Sequence, residues 1–176
     1  MNTANKLTMI RVILIPAFLA VLYIGFEGSN FAAMGIFIAA GLTDIADGYV
    51  ARRRNQVTNF GKLMDPLADK ILVLAAMLWF LEQGVLPAWL TLIVVVREFL
   101  VTALRLLAID SGRVIAAAIS GKIKTVVTMF CLSVLFLNLE QWMIYACIAA
   151  IAMTTVVSGV EYFLKNKDIL KWKESK

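Results

Sequence analysis

The sequence predicts an all-α integral membrane protein, a bundle of six transmembrane helices with both termini in the cytoplasm. Three observations carry that expectation. Of the 176 residues 61% are hydrophobic and only 16% are charged, whereas soluble domains carry about a quarter charged residues. The apolar residues gather into six runs separated by short breaks of Gly, Asn, Ser and charges. Finally, the basic residues fall at one set of run ends and leave the other set nearly free of them. At about 20 residues per span the six runs fill the chain, so residues 1–176 read as a single membrane domain with no soluble domain beside it.

The runs are Leu7–Ile24, Phe31–Ala51, Phe60–Leu81, Leu86–Ile109, Ile123–Leu139 and Trp142–Leu164. The first is too long for a secretory h-region and lacks a small-residue cleavage site before the next run, so it is expected to stay as a helix. The third is interrupted by Lys70 and the fifth has a basic start, which makes these two the weakest apolar signals. If the runs alternate in direction, one face receives Lys6, Arg52–Arg54, the Ile109–Lys124 connection and the tail from Lys165. The opposite loops contain Glu27, Glu82 and Glu140 without Lys or Arg. The positive-inside rule then puts both termini in the cytoplasm, and Trp79, Trp89 and Trp142 fall near the far ends of their runs, as an aromatic belt does.

The net charge of +5 and the tail "KNKDILKWKESK" suit contact with anionic lipid heads. Nucleic acid is disfavoured as a partner, because the basic residues are strung along one membrane face and form no recognisable nucleic-acid module. Cys131 and Cys147 lie inside runs without metal-ligand spacing and read as small apolar residues. With no histidine in the chain, Ser-His-Asp and Cys-His chemistry is excluded, and proton transfer falls to carboxylates, Lys, Tyr, Cys or water.

The stretch "LTDIADGYVARRRNQVTNFGKLMDPLADK" breaks this oily pattern. Asp44 and Asp47 are three residues apart and Asp65 and Asp69 four apart, so on helices each pair shares a face. Asp44 lies 13 residues after Phe31 and Asp69 lies 12 before Leu81, which at about 1.5 Å per residue sets both roughly 20 Å from the far face. A short connection makes the two helices antiparallel neighbours, with the four carboxylates at matched depth near the cytoplasmic rim. Four ionised carboxylates in a low dielectric require cations. Arg52 can supply one charge, and an all-oxygen donor set suits Mg²⁺ or Mn²⁺ rather than zinc or copper. Two such ions would use all four aspartates, an arrangement found where groups are displaced at phosphorus. Gly48, Ala51 and Gly61 put small residues beside the acids, where a ligand can approach the backbone or helices can pack closely. Pro66 after Asp65 also allows a plainer reading of that one acid, as the N-cap of a helix starting there.

Written out, these residues form Asp44-x2-Asp47-Gly48-x2-Ala51-Arg52-x8-Gly61-x3-Asp65-x3-Asp69. The pattern resembles the complete signature of the CDP-alcohol phosphatidyltransferase family, whose members make phospholipids from a CDP-linked lipid and an alcohol. "NKLTMIR", "REFLVTALR", "GKIKT" and "SGVEYF" resemble, more softly, a bacterial branch of that family in which the donor is CDP-diacylglycerol and the acceptor glycerol 3-phosphate. Ala4 stands where a proline is usual in that branch. The resemblance implies six membrane helices of the CDP-alcohol phosphatidyltransferase type, a homodimer, and a multi-pass place in the bacterial inner (cytoplasmic) membrane with the active site facing the cytoplasm. It also implies Asp44, Asp47, Asp65 and Asp69 as metal ligands, Asp69 doubling as the base, and Gly48, Ala51, Arg52 and Gly61 as the positions that hold the CDP portion.

A phosphate-bearing acceptor needs cations, and Arg97, Arg105, Arg113, Lys122 and Lys124 are the candidates. Arg97 and Arg105 stand in or near the fourth run, where an unpaired charge is costly. Glu98 can partner one of them, so an ion pair between helices is the plainer reading of Arg97. Membrane anchoring is the plainer reading of Arg113, Lys122 and Lys124. Arg53, Arg54 and the tail lysines read as lipid-surface charge. Thr8 and Arg11 can line the same cavity, although a hydroxyl bonded within its own helix explains Thr8 equally well. Two other functions compete: the same chemistry with inositol phosphate or serine as acceptor, and a divalent-cation transporter, for which intramembrane acids would form the path. The second is disfavoured because the acids cluster at one face and no continuous polar route runs to the other.

Overall fold

The computed structural model describes the backbone of residues 3–54, 59–110 and 118–167, and the side chains of residues 9, 12–43, 70–108 and 118–167. The described residues form six helices and no strand: α1 (Thr3–Ile24), α2 (Ser29–Arg54), α3 (Asn59–Glu82), α4 (Ala88–Asp110), α5 (Ile119–Leu135) and α6 (Gln141–Lys165). Each of the six apolar runs is therefore a helix, and several helices outrun their apolar stretch. α1 begins at Thr3 and α2 continues to Arg54, because a polar side chain does not stop i→i−4 hydrogen bonding. An apolar run marks how much of a helix avoids water, not where it ends.

Three of the helices, α1, α3 and α5, stop where the backbone turns left-handed. Gly25 (φ 66°) and Gly28 (φ 86°) separate α1 from α2, Gly84 (φ 71°) separates α3 from α4, and Asn138 (φ 49°) separates α5 from α6. Three of these four are glycines, for which positive φ carries no Cβ penalty. Asn138 accounts for the fifth element ending at Leu135 and not at Leu139. The Phe136 and Leu137 amides close tight turns onto the Ser133 and Val134 carbonyls, leaving Leu137 and Leu139 in the connection despite their apolarity. α3 runs unbroken from Asn59 through Pro66, so Asp65 is not the N-cap of a helix starting beside it. Proline loses one backbone bond there, but its fixed φ is helical.

α3 has the most neighbours, packing on α1, α2, α4 and α5, while α6 packs on α4 and α5. At the Ile24, Glu82 and Leu135 ends the core is aromatic. Phe18 lies 6.0 Å from both Phe37 and Phe136, and Phe80 lies 4.6 Å from Phe136, centroid to centroid. At the rim of that end Tyr23 stands edge-on to Trp79 and donates a 2.6 Å hydrogen bond to Glu82 Oε2. Cys131 is buried in α5 and Cys147 half-buried in α6, both as free thiols.

Among the described residues α6 is the helix long and apolar enough to cross a membrane by length and composition, and only 17% of its most apolar 18-residue window is buried. Val12–Ile24 and Ser29–Thr43 are shorter apolar helical segments. The remaining helices differ for visible reasons: α4 carries Arg97, Glu98 and Arg105 along its length, and α5 has 17 residues.

Candidate active site

Asp44, Asp47, Gly48, Ala51 and Arg52 stand on α2, and Gly61, Asp65 and Asp69 on α3. These two helices pack against each other. The side chains of all eight lie outside the described residues, so the acids enter by helix position: two pairs, each spaced to share a helix face, on neighbouring helices. Immediately before them, Thr43 donates within its own helix to the Ala39 and Ala40 carbonyls at 3.1 and 2.7 Å, so the chain turns from self-satisfied to acid-rich within one residue. By residue type, four aspartates on adjoining helices in a chain with no histidine are hard oxygen donors, the chemistry that Mg²⁺ or Mn²⁺ would take.

One residue beyond Asp69, Lys70 begins a charged node in the middle of the bundle. Glu98 of α4 is its centre. Its Oε1 accepts 2.8 Å hydrogen bonds from Lys124 Nζ of α5 and from Arg97 Nη1, and its Oε2 lies 3.6 Å from Lys70 Nζ of α3. Lys70 also donates to Thr102 Oγ1, and the Thr102 hydroxyl donates at 2.8 Å to the Glu98 carbonyl one turn back. Arg97 and Glu98 are adjacent on α4, so their ion pair lies within one helix, and the pairs between helices are those of Lys70 and Lys124. The Lys124 side chain is 5% exposed and that of Arg97 12%. Charges so far from water persist because they are paired.

Small residues on two helices make room for Arg97. A Cβ on Gly121 of α5 would stand 3.4 Å from its Nη2, and one on Gly159 of α6 would stand 3.4 Å from its Cγ. Its Nε is buried and has no hydrogen-bond partner among the described residues. A cavity of about 200 Å³ opens between α3, α4 and α5. Lys70, Glu98, Thr102, Lys124, Thr125 and Thr128 line its polar side, and Leu74, Met77 and Val94 are among its apolar residues. Thr128 is 1% exposed, and its hydroxyl is also without a partner among the described residues.

Of the five cations expected to serve an acceptor phosphate, Arg97 and Lys124 are brought together at Glu98. Arg105 is two turns further along α4, where its Nε donates at 3.2 Å to the Tyr162 hydroxyl of α6 and its guanidinium lies 5.7 Å from that ring. Lys122 is exposed on α5. Arg113 lies outside the described residues, as do the side chains of Thr8 and Arg11. Sequence reasoning missed Lys70 and Thr102 as site residues. The signal was present in Lys70, a charge inside an apolar run that required a partner; naming Glu98 as that partner required the packing of α3 on α4.

The helical fold and the acid pattern on two packed helices are those expected of a phosphatidyltransferase. Residues 1–158 match the model of the CDP-alcohol phosphatidyltransferase family, and the chain belongs to that family. It is 41% identical to the CDP-diacylglycerol–glycerol-3-phosphate 3-phosphatidyltransferase of Bacillus subtilis, the match covering 97% of each chain. It is 40% identical to the protein of the same name from Escherichia coli K12, over 89% of this chain and 88% of that one. A probable phosphatidylglycerophosphate synthase of Mycobacterium tuberculosis is 38% identical, over 92% of this chain and 79% of that one.

Proposed function

We propose that this protein transfers the phosphatidyl group of CDP-diacylglycerol to glycerol 3-phosphate, forming phosphatidylglycerophosphate and CMP. The observation that carries the reading is the unbroken acid signature on packed α2 and α3 in a chain about 40% identical, over most of its length, to synthases of that name. A hydroxyl of the acceptor attacks the lipid-side phosphorus of the diphosphate and CMP leaves. Asp69 takes the proton of that hydroxyl, and Gly48, Ala51, Arg52 and Gly61 hold the CDP portion. Asp44, Asp47, Asp65 and Asp69 would hold two Mg²⁺ or Mn²⁺ ions, which when bound neutralise the diphosphate and the charge developing on the leaving phosphate. Lys124 and Arg97, with Lys70 beside them, supply positive charge for the acceptor's phosphate. Arg105, Arg113 and Lys122 are candidates for guiding it in from the aqueous side.

The protein works as a multi-pass enzyme of the bacterial cytoplasmic membrane, with six spans, both termini and the acid site on the cytoplasmic side, and a homodimeric state taken from the family. The outer surface supports membrane residence: Ile13, Phe99, Phe130, Met153 and Val157, on four different helices, are each more than 60% exposed, an apolar exterior that lipid accommodates and water does not.

The test is CMP release by purified protein in mixed micelles of CDP-diacylglycerol, with glycerol 3-phosphate, inositol phosphate and serine compared as acceptors. Release is expected with glycerol 3-phosphate, lost on chelation and restored by Mg²⁺ or Mn²⁺. Preference for another alcohol would reassign the acceptor, and divalent-ion flux into proteoliposomes without CMP formation would replace the enzymatic reading by transport.

A further inference from the structure

We infer that Glu98 is a positioning residue for the acceptor: its carboxylate holds Lys70 of α3 and Lys124 of α5 side by side on the cavity wall, where their ammonium groups receive the acceptor's phosphate. The inference rests on the proposed use of a phosphorylated alcohol and deepens it. Lysine is a compact charge on a flexible four-carbon stem, and two lysines and an arginine gathered in one place repel one another. Glu98 allows them to stay together. Oε1 takes Arg97 and Lys124 at 2.8 Å each, and Oε2 faces Lys70. Thr102 fixes Lys70 from the other side. Its own proton is committed to the Glu98 carbonyl, so its oxygen accepts from Lys70. The two lysines, which stand on different helices, are thereby both registered to one residue of α4.

The same geometry leaves the site electropositive. Among the described residues the node sets three cations against one carboxylate, an excess of two positive charges that matches a phosphate dianion. An ammonium has three donors; among the described residues Lys124 uses one on Glu98, and Lys70 uses one on Thr102 beside its longer contact with Glu98. The cavity beyond them is mostly apolar in its lining, with the charged residues on one wall, and its volume of about 200 Å³ falls below the roughly 300–1,000 Å³ of pockets for drug-sized ligands. Thr128, one turn along α5 from Lys124, also lines the cavity.

Steady-state CMP release measured against each substrate tests this. Glu98→Gln, close in shape but uncharged, is expected to raise KM for glycerol 3-phosphate about tenfold while KM for CDP-diacylglycerol stays within about twofold; Glu98→Asp recovers part of the loss. In a Lys70→Met background the effect of Glu98→Gln shrinks, because the residue it positions is already gone. Should Glu98→Gln fold poorly, Thr102→Val carries the test, with an expected rise of about threefold in the same KM. Equal shifts in both KM values with a lowered melting temperature would make Glu98 a structural brace and overturn the inference, as would fully additive effects of the Lys70 and Glu98 changes. A glycerol-3-phosphate-dependent enzyme indifferent to both Glu98→Gln and Thr102→Val removes this inference alone. Wild-type protein that works only with an unphosphorylated alcohol removes the acceptor reading with it.

Discussion

The two halves of the bundle solve opposite problems. Toward the Ile24, Glu82 and Leu135 ends, Phe18, Phe37 and Phe136 are at most 1% exposed and meet Phe80 ring against ring. That half is closed by shape, and its polar contacts, such as Tyr23 to Glu82, sit at the rim. In the middle of the bundle, beside the acid-bearing turns of α2 and α3, space is left open, and charges from three helices meet at one carboxylate. Aromatic packing holds helices at fixed separations through large buried rings that meet tilted or edge to face. A charge cluster in a low dielectric tolerates little misplacement. The closed half therefore works as the clamp that lets the other half keep an open, charged interior.

Four changes break or sharpen that contrast, from the largest expected effect downwards. Asp69→Asn should lower CMP release by about 10²–10⁴-fold, the range for loss of a general base, with an unchanged melting profile in detergent; normal turnover would remove Asp69 from the role of base. Phe136→Ala, which deletes the ring shared by three aromatic contacts, should cost about 3–5 kcal/mol of stability, read as a lower melting temperature with substrate KM values retained at permissive temperature. Lys124→Met should raise KM for glycerol 3-phosphate about tenfold or more, with a smaller effect on the CDP-diacylglycerol KM. Finally, Tyr23→Phe removes one exposed hydrogen bond and should leave both melting and turnover unchanged within error. A large effect there would mean that the rim, not the aromatic interior, clamps the closed half.

Much of the architecture was legible along the chain. The six apolar runs are the six helices, because a segment of about 20 apolar residues has few ways to satisfy its backbone other than as a helix. The end of α5 was not legible: Leu137 and Leu139 prolong the apolar signal, whereas a left-handed Asn138 ends the helix. Asp65 beside Pro66 suggested a helix start in sequence, yet α3 begins six residues earlier. In the site, Arg97 was recognisable as an intramembrane cation that needed a partner, whereas Lys124, whose plainer reading was a membrane anchor, is buried against Glu98. Arg105 belonged to the same short motif as Arg97, but helical rotation and two turns of rise bring it to Tyr162.

Chain order alone determined the helix count, the family and the spacing of the acids, since each depends on period and composition over a few turns of one or two helices. The meeting of Lys70, Glu98 and Lys124 was decided only by the tertiary structure. Those residues are 28 and 26 positions apart along the chain, and no local periodicity specifies which rotation of α3 and α5 faces α4. That choice is made by packing, through the fit of helix against helix and the requirement that charges away from water find one another.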